Sequence, residues 1–335
     1  MEEPDGAGST TGPVLNPTQQ EVLDHLGASA VQRPTFDPGL ARSLRAYLDD
    51  SVAALIDGPD GLGLTDAQRR DLPLYVSKHA LMTVHTCEGM LVAESTVPFA
   101  WNVHIARGTI VHKAIELGIA WDGDPIPRML VDEAIASLTE STDSIGDWLY
   151  GLGERERAEL RAEAVELVTA FSEVFPPLEA RWRPVTEARM RAEPHHGAVV
   201  LSGRPDLTLG QARGNVAGKV LIDLKTGAVR THHTDDLRFY ALLETLARGT
   251  PPRLVATVYL DSGTIRSEPV TEDLLTAAVR RTMDGIARIA ALRLVKAPAE
   301  LRGGHYCRWC PALENCATGR QFISDLDNPD RYDPD

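Results

Sequence analysis

The sequence predicts a mixed α/β fold, a central sheet with helices packed against it. Three observations carry that expectation. Lys219–Lys225 alternates with period two, Val220, Ile222 and Leu224 on one face and Leu221, Asp223 and Lys225 on the other. Two further runs of strand-like composition, 183–192 and 198–209, precede it. Asp235–Leu246 and 271–294 instead repeat their apolar residues with helical spacing, around a strand at Arg253–Leu260. A three-strand meander followed by helix and strand gives a mixed sheet.

Composition bounds the function. The chain has 335 residues, 43% of them hydrophobic, enough for one large domain or two small ones, with no apolar run of membrane-spanning length. Its start, Met-Glu-Glu-Pro-Asp-Gly, has no apolar signal core, so a cytoplasmic protein without membrane contact is expected. A formal net charge of -14 argues against non-specific coating of nucleic acid but leaves room for a local basic channel. In a reducing compartment, four cysteines favour metal or cluster ligation over disulfides.

In chain order, residues 1–17 read as a disordered tail and 18–100 as a helical region. That region includes a short helix opened by Asn16-Pro17 and an amphipathic one at 38–57, with Leu40, Leu44, Tyr47, Leu48 and Leu55 on its buried side. The segment 74–94 carries Cys87. Ala106–Ile119 forms a helix whose stripe Gly108, His112, Ile115, Ile119 points His112 inward. A lone histidine there is more often a packed core residue than a ligand. Helices at 128–150 and 154–175 end at Pro176-Pro177, and a glycine-rich turn, 210–218, joins the second and third strands. On 271–294, Arg280, Arg281, Arg288 and Arg293 could face a phosphate backbone, although a solvated helix face explains them as well. Residues 321–335 form an acidic tail.

Two constellations carry chemistry. Pairing 198–209 with 219–225 brings Asp206 beside Asp223 and Lys225. Two carboxylates there would hold a divalent cation through hard oxygen ligands, and the ammonium would orient a water. Alone, Asp-x-Lys is more often a surface ion pair. The second constellation is Cys307-x2-Cys310-x5-Cys316, which with Cys87 uses every cysteine of the chain. Zinc and an iron–sulfur cluster both suit four thiolates.

Together these residues resemble the RecB-like branch of the PD-(D/E)xK nucleases. The likeness extends to members with a four-cysteine iron–sulfur staple, such as the AddB nuclease domain and the CRISPR-associated adaptation nuclease. The resemblance runs over about residues 80–318 and rests on Pro205-Asp206, Asp223-Leu-Lys225-Thr-Gly, the helical His112, and the spacing of Cys307, Cys310 and Cys316 after a remote Cys87. It implies a restriction-endonuclease-like core over 101–300, with helical N-terminal additions and an iron–sulfur segment at 301–320. It further implies Mg²⁺ or Mn²⁺ on His112, Asp206, Asp223 and the Leu224 carbonyl, with Lys225 positioning the attacking water. A 4Fe-4S cluster, or alternatively zinc, would sit on the four cysteines. Glu187 is an auxiliary acid in this comparison. Tyr240 matches the family's Gln-x3-Tyr helix, in which Asp236 stands where glutamine is usual. The implied activity is that of a DNA exonuclease on single strands or frayed ends, working with a helicase or repair partner. The alternative is a DNA-binding repair subunit with a structural cluster and little chemistry.

Overall fold

The computed structural model describes residues 14–27, 32–121, 123, 125–141, 143–227, 229–230 and 232–328. Most of the expected disordered tail, and 329–335 of the acidic tail, lie outside them; Pro17 already belongs to a helix. In chain order the elements begin with α1 (Pro17–Leu26), α2 (Leu40–Asp57), α3 (Asp66–Arg69), β1 (Leu74–Ser77), α4 (Lys78–Thr86) and α5 (Glu88–Thr96). Four helices follow: α6 (Val103–Ile119), α7 (Pro127–Thr139), α8 (Ser144–Gly151) and α9 (Glu154–Val174). The sheet region contains β2 (Val185–Thr186), β3 (Met190–Ala192), β4 (Val199–Gly203), β5 (Leu207–Leu209) and β6 (Val220–Lys225). The chain closes with α10 (His232–Arg248), β7 (Leu254–Tyr259), β8 (Thr264–Pro269), α11 (Glu272–Leu294) and α12 (Ala317–Leu326).

The fold is mixed α/β, as expected, but the strands form two sheets, ordered β1-β4-β3 and β2-β5-β6-β7-β8. Each of the two long runs read as one strand is cut in two. The run 183–192 breaks into β2 and β3, and 198–209 breaks into β4 and β5. β2 pairs with β5 and β3 with β4, both antiparallel, so the ribbon is interrupted at the same level on both strands. One cause is Pro205, which has no amide to give a ladder. Just before it, Gly203 leaves room for the Tyr240 ring, to which an added Cβ would come within 2.7 Å. Glu187, opposite, adopts a positive φ of 52°.

β6 lies between β5 (antiparallel) and β7 (parallel), with Asp223 opposite Thr257 and Lys225 opposite Tyr259. Its two faces feed two cores. Val220, Ile222 and Leu224 pack with Ile110, Val111 and Leu160 of the α6–α9 layer. Leu221 packs with Leu81, Leu242 and Leu275 beneath α4, α10 and α11. A strand covered on both faces buries its polar residues too, and Asp223 is 1% exposed.

Other differences are local. The region expected to be helical over 18–100 also contributes β1, which runs parallel to β4. The stretch 128–150 is two helices, not one. On α2 the buried stripe is Leu44, Leu48, Val52 and Ile56, while Tyr47 is 41% exposed, because an i, i+4 row from Leu44 leaves Tyr47 to one side.

Candidate active site and cysteine site

The interruption of the ribbon is where the acids collect. Asp206 immediately precedes β5, and its Oδ2 accepts the Leu224 amide at 2.6 Å, which aims Oδ1 at His112 Nδ1, 3.1 Å away. Glu187 follows β2, and its own amide donates to the Asp206 carbonyl at 3.1 Å. The Glu187 side chain places Oε1 3.7 Å from His112 Nδ1 and Oε2 2.5 Å from Arg204 Nε. Among the described residues, His112, Glu187 and Asp206 form the one group offering three metal-ligand atoms within 4.8 Å of one another. That donor set of one imidazole and two carboxylates fits a divalent cation of the Mg²⁺ or Mn²⁺ type. Burial would depress the His112 imidazolium, but Asp206 and Glu187 beside it prevail and lift it to about 10. The packing reading from the sequence is therefore half right. His112 flanks the buried stripe of α6, Ala106, Ile110, Val111, Ala114 and Ile115, and its ring, 27% exposed, ends among carboxylates.

Asp223 sits one step away and faces cations. Lys225 Nζ is 2.5 Å from its Oδ2 and Lys78 Nζ is 3.3 Å from its Oδ1. Burial raises the Asp223 carboxyl, while Lys78 and Lys225 pull it below the usual carboxylate range, and the two ammoniums win. Lys78 also reaches Asp236 Oδ2 at 3.4 Å and lies 5.0 Å from the centre of the Tyr240 ring. The Tyr240 hydroxyl donates to the Arg204 carbonyl at 3.0 Å, and burial pushes its ionisation up to about 12. Asp206, Asp223, Lys225, Glu187, Asp236 and Tyr240 thus share one neighbourhood. Leu224 enters it through its amide, where the resemblance implied its carbonyl.

The four arginines of α11 do not form a common free face. Arg281 pairs with Asp235 at 3.1 Å. Arg288 pairs with Asp284 at 3.1 Å and Glu88 at 3.7 Å, and Arg293 donates to the Tyr75 carbonyl at 3.1 Å. Arg280 is exposed.

The cysteines come together from distant chain positions. Cys87 is the junction of α4 and α5, Cys307 sits in the 3₁₀ turn His305–Trp309, Cys310 ends that turn, and Cys316 caps α12. All four are free thiols lining one cavity of about 200 Å³. Burial raises the Cys310 thiol, and Cys87, Cys307 and Cys316 add to the rise. Two glycines keep the space open. A Cβ on Gly319 would lie 3.5 Å from both Cys307 and Cys316 Sγ, and one on Gly89 would lie 3.7 Å from Cys87 Sγ.

The family profile described as the PD-(D/E)XK nuclease superfamily matches residues 76–317, from within β1 to the residue after Cys316. The chain belongs to that superfamily. No curated protein matches it. Among solved structures, a candidate exonuclease from Eubacterium rectale is 14% identical, over 80% of this chain and 100% of its own, with a TM-score of 0.45. The protein SSO0001 is 16% identical, over 64% of this chain and 96% of its own, with a TM-score of 0.29.

Sequence reasoning about this nuclease missed Lys78. The available signal was local: Leu74 and Val76 alternate with Tyr75 and Ser77, as in a strand, and Ser77 then caps a helix, accepting the Ala80 amide at 3.2 Å. That pattern places a lysine at the C-terminal end of a strand, level with the Asp206 and Lys225 strand ends.

Proposed function

We propose that this superfamily member is a metal-dependent DNA nuclease acting on single-stranded or frayed ends. The observation that carries the reading is the convergence of His112, Glu187 and Asp206 within 4.8 Å, beside a buried Asp223 braced by Lys225. His112, Glu187 and Asp206 would hold one Mg²⁺ or Mn²⁺, with Asp223 adjoining. Bound there, the cation would supply Lewis-acid charge to the phosphate oxygens. Lys225, with its stem fixed on β6 and its side chain 22% exposed, donates to and orients the attacking water. Asp223 holds that ammonium in place, and the Leu224 amide keeps the Asp206 carboxylate turned toward His112. The preference for ends, and a helicase or repair partner that delivers the strand, come with the resemblance to RecB-like nucleases.

The cysteine site belongs to the same reading, as a 4Fe-4S staple. One zinc would need its sulfurs about 3.8 Å apart, from Zn–S bonds of about 2.3 Å in a tetrahedron. The four cysteines line one cavity of about 200 Å³, room enough for a larger, multinuclear occupant.

The test is anaerobically purified protein with Mn²⁺ or Mg²⁺ and end-labelled single- and double-stranded DNA, with ends free or blocked. Metal-dependent cleavage confined to free ends, and lost in Lys225→Ala, is expected. Wild-type rates in Lys225→Ala would overturn the assigned site, and equal cutting of circular DNA would overturn the preference for ends.

A further inference from the structure

Lys78 has no place in the motif set of the resemblance, yet it is the second cation on the most buried acid of the site. It is the first residue of α4, delivered by β1, whose Ser77 pairs with Ser202 two residues before the chain leaves β4 for Asp206. Its ammonium bridges two carboxylates at nearly equal distances, 3.3 Å to Asp223 and 3.4 Å to Asp236. Two carboxylates sharing one cation is the arrangement a divalent ion would take, since hard oxygen donors from two acids are what Mg²⁺ and Mn²⁺ recruit. Lys78 faces both acids and Lys225 faces Asp223, so two ammoniums stand where a cation would otherwise sit. His112, Glu187 and Asp206, whose ligand atoms already lie within 4.8 Å, form a separate group.

We propose that Lys78 is a positioning residue that fills the place of a second metal ion, leaving a site built for a single divalent cation on His112, Glu187 and Asp206. Asp236, whose carboxylate lies 3.4 Å from the ammonium, is the counter-charge that keeps Lys78 there. Lysine suits the role because its charge is compact and its three donors rotate to meet two acids at once. Through Asp223, Lys78 also sets the position of Lys225.

The proposal rests on the nuclease reading, and metal counting separates the two. Full-length protein, its cysteine site loaded, is freed of loosely bound ions by chelation. Mn²⁺ is then titrated by calorimetry and by the electron paramagnetic resonance signal of the free ion. One Mn²⁺ per chain is expected for the wild type. Two are expected for Lys78→Met, with cleavage at saturating Mn²⁺ at least about tenfold slower, and one again for Lys78→Met/Asp236→Asn. Lys78→Gln serves if the methionine variant does not fold, and two ions are expected there as well. A wild-type count of two, or a count of one in the single variant Lys78→Met or Lys78→Gln, overturns the proposal. Wild-type protein that binds one Mn²⁺ and cleaves nothing overturns the nuclease reading and leaves the ion count standing.

Discussion

The carboxylate site and the cysteine site are built on opposite principles. The first is assembled by strand ends, and its acids already have partners: Asp206 the Leu224 amide and His112, Glu187 the Arg204 guanidinium, Asp223 two ammoniums. The second is assembled from helix junctions and 3₁₀ turns, and it brings four thiols around an open cavity with nothing of opposite charge among its ligands. A site whose charges are balanced by the fold keeps its shape without its ion. A ring of thiols gains most of its cohesion from what it binds. The first site should therefore be separable from stability, and the second should not.

The largest effect expected from this difference is on activity. Asp206→Asn keeps an oxygen for the Leu224 amide and removes the charge facing His112. Cleavage should fall by about 10³-fold, within the range for loss of a catalytic group, while the melting temperature stays near the wild-type value. Unfolding of this variant at assay temperature would show that the carboxylate site is structural as well.

Next in size is the staple. Cys87 and Cys307 are 220 positions apart (307 − 87), and joining them through a cluster closes a loop of that length. Treated as one cross-link, such a loop stabilises by about 5 kcal/mol on the chain-entropy model, comparable to the low end of a domain's whole stability. Cys87→Ser should lose iron and sulfide, melt well below the wild type and expose the chain to protease. Full iron and sulfide content with unchanged melting would remove Cys87 from the site.

The smallest effect sharpens the comparison from the metal side. His112, lifted to about 10, carries a proton at neutral pH that an incoming cation must displace. The Mn²⁺ concentration for half-maximal binding should fall as pH rises from 7 toward 10, by up to about one decade per unit. His112→Gln should raise that concentration at least about tenfold and flatten its pH dependence. A wild-type midpoint independent of pH would mean that His112 does not exchange its proton for metal.

Much of this was legible in the sequence wherever the signal is periodic. The alternation of 219–225 placed Asp223 and Lys225 on one face, and the helix read over 106–119 carries His112 at the edge of its buried stripe. The break in the ribbon was harder to read. Both runs have strand composition throughout, Pro205 is the one breaker in view, and the close approach of Tyr240 to Gly203, from a helix almost forty residues later, does not show in one dimension. Lys78 was invisible for a related reason. Its partner Asp223 is 145 positions away, and an ammonium committed to a buried acid looks, in one dimension, like any lysine at the start of a helix. The arginines of α11 erred the other way. Their spacing suggests a basic face, but Asp235, Asp284 and Glu88 have already claimed two of them.

One helix joins the two sites. α4 begins with Lys78 against Asp223 and gives way at its other end to Cys87, nine residues later. At 1.5 Å per residue it is a strut of about 13 Å. This matters for anyone choosing where to cut the chain. A fragment starting at residue 101 would keep His112, Glu187, Asp206, Asp223 and Lys225, the whole carboxylate constellation. It would also lack the strand that β4 runs beside, the second ammonium on Asp223 and one of the four thiols. The smallest excisable unit of this protein begins ahead of β1, upstream of both Cys87 and His112.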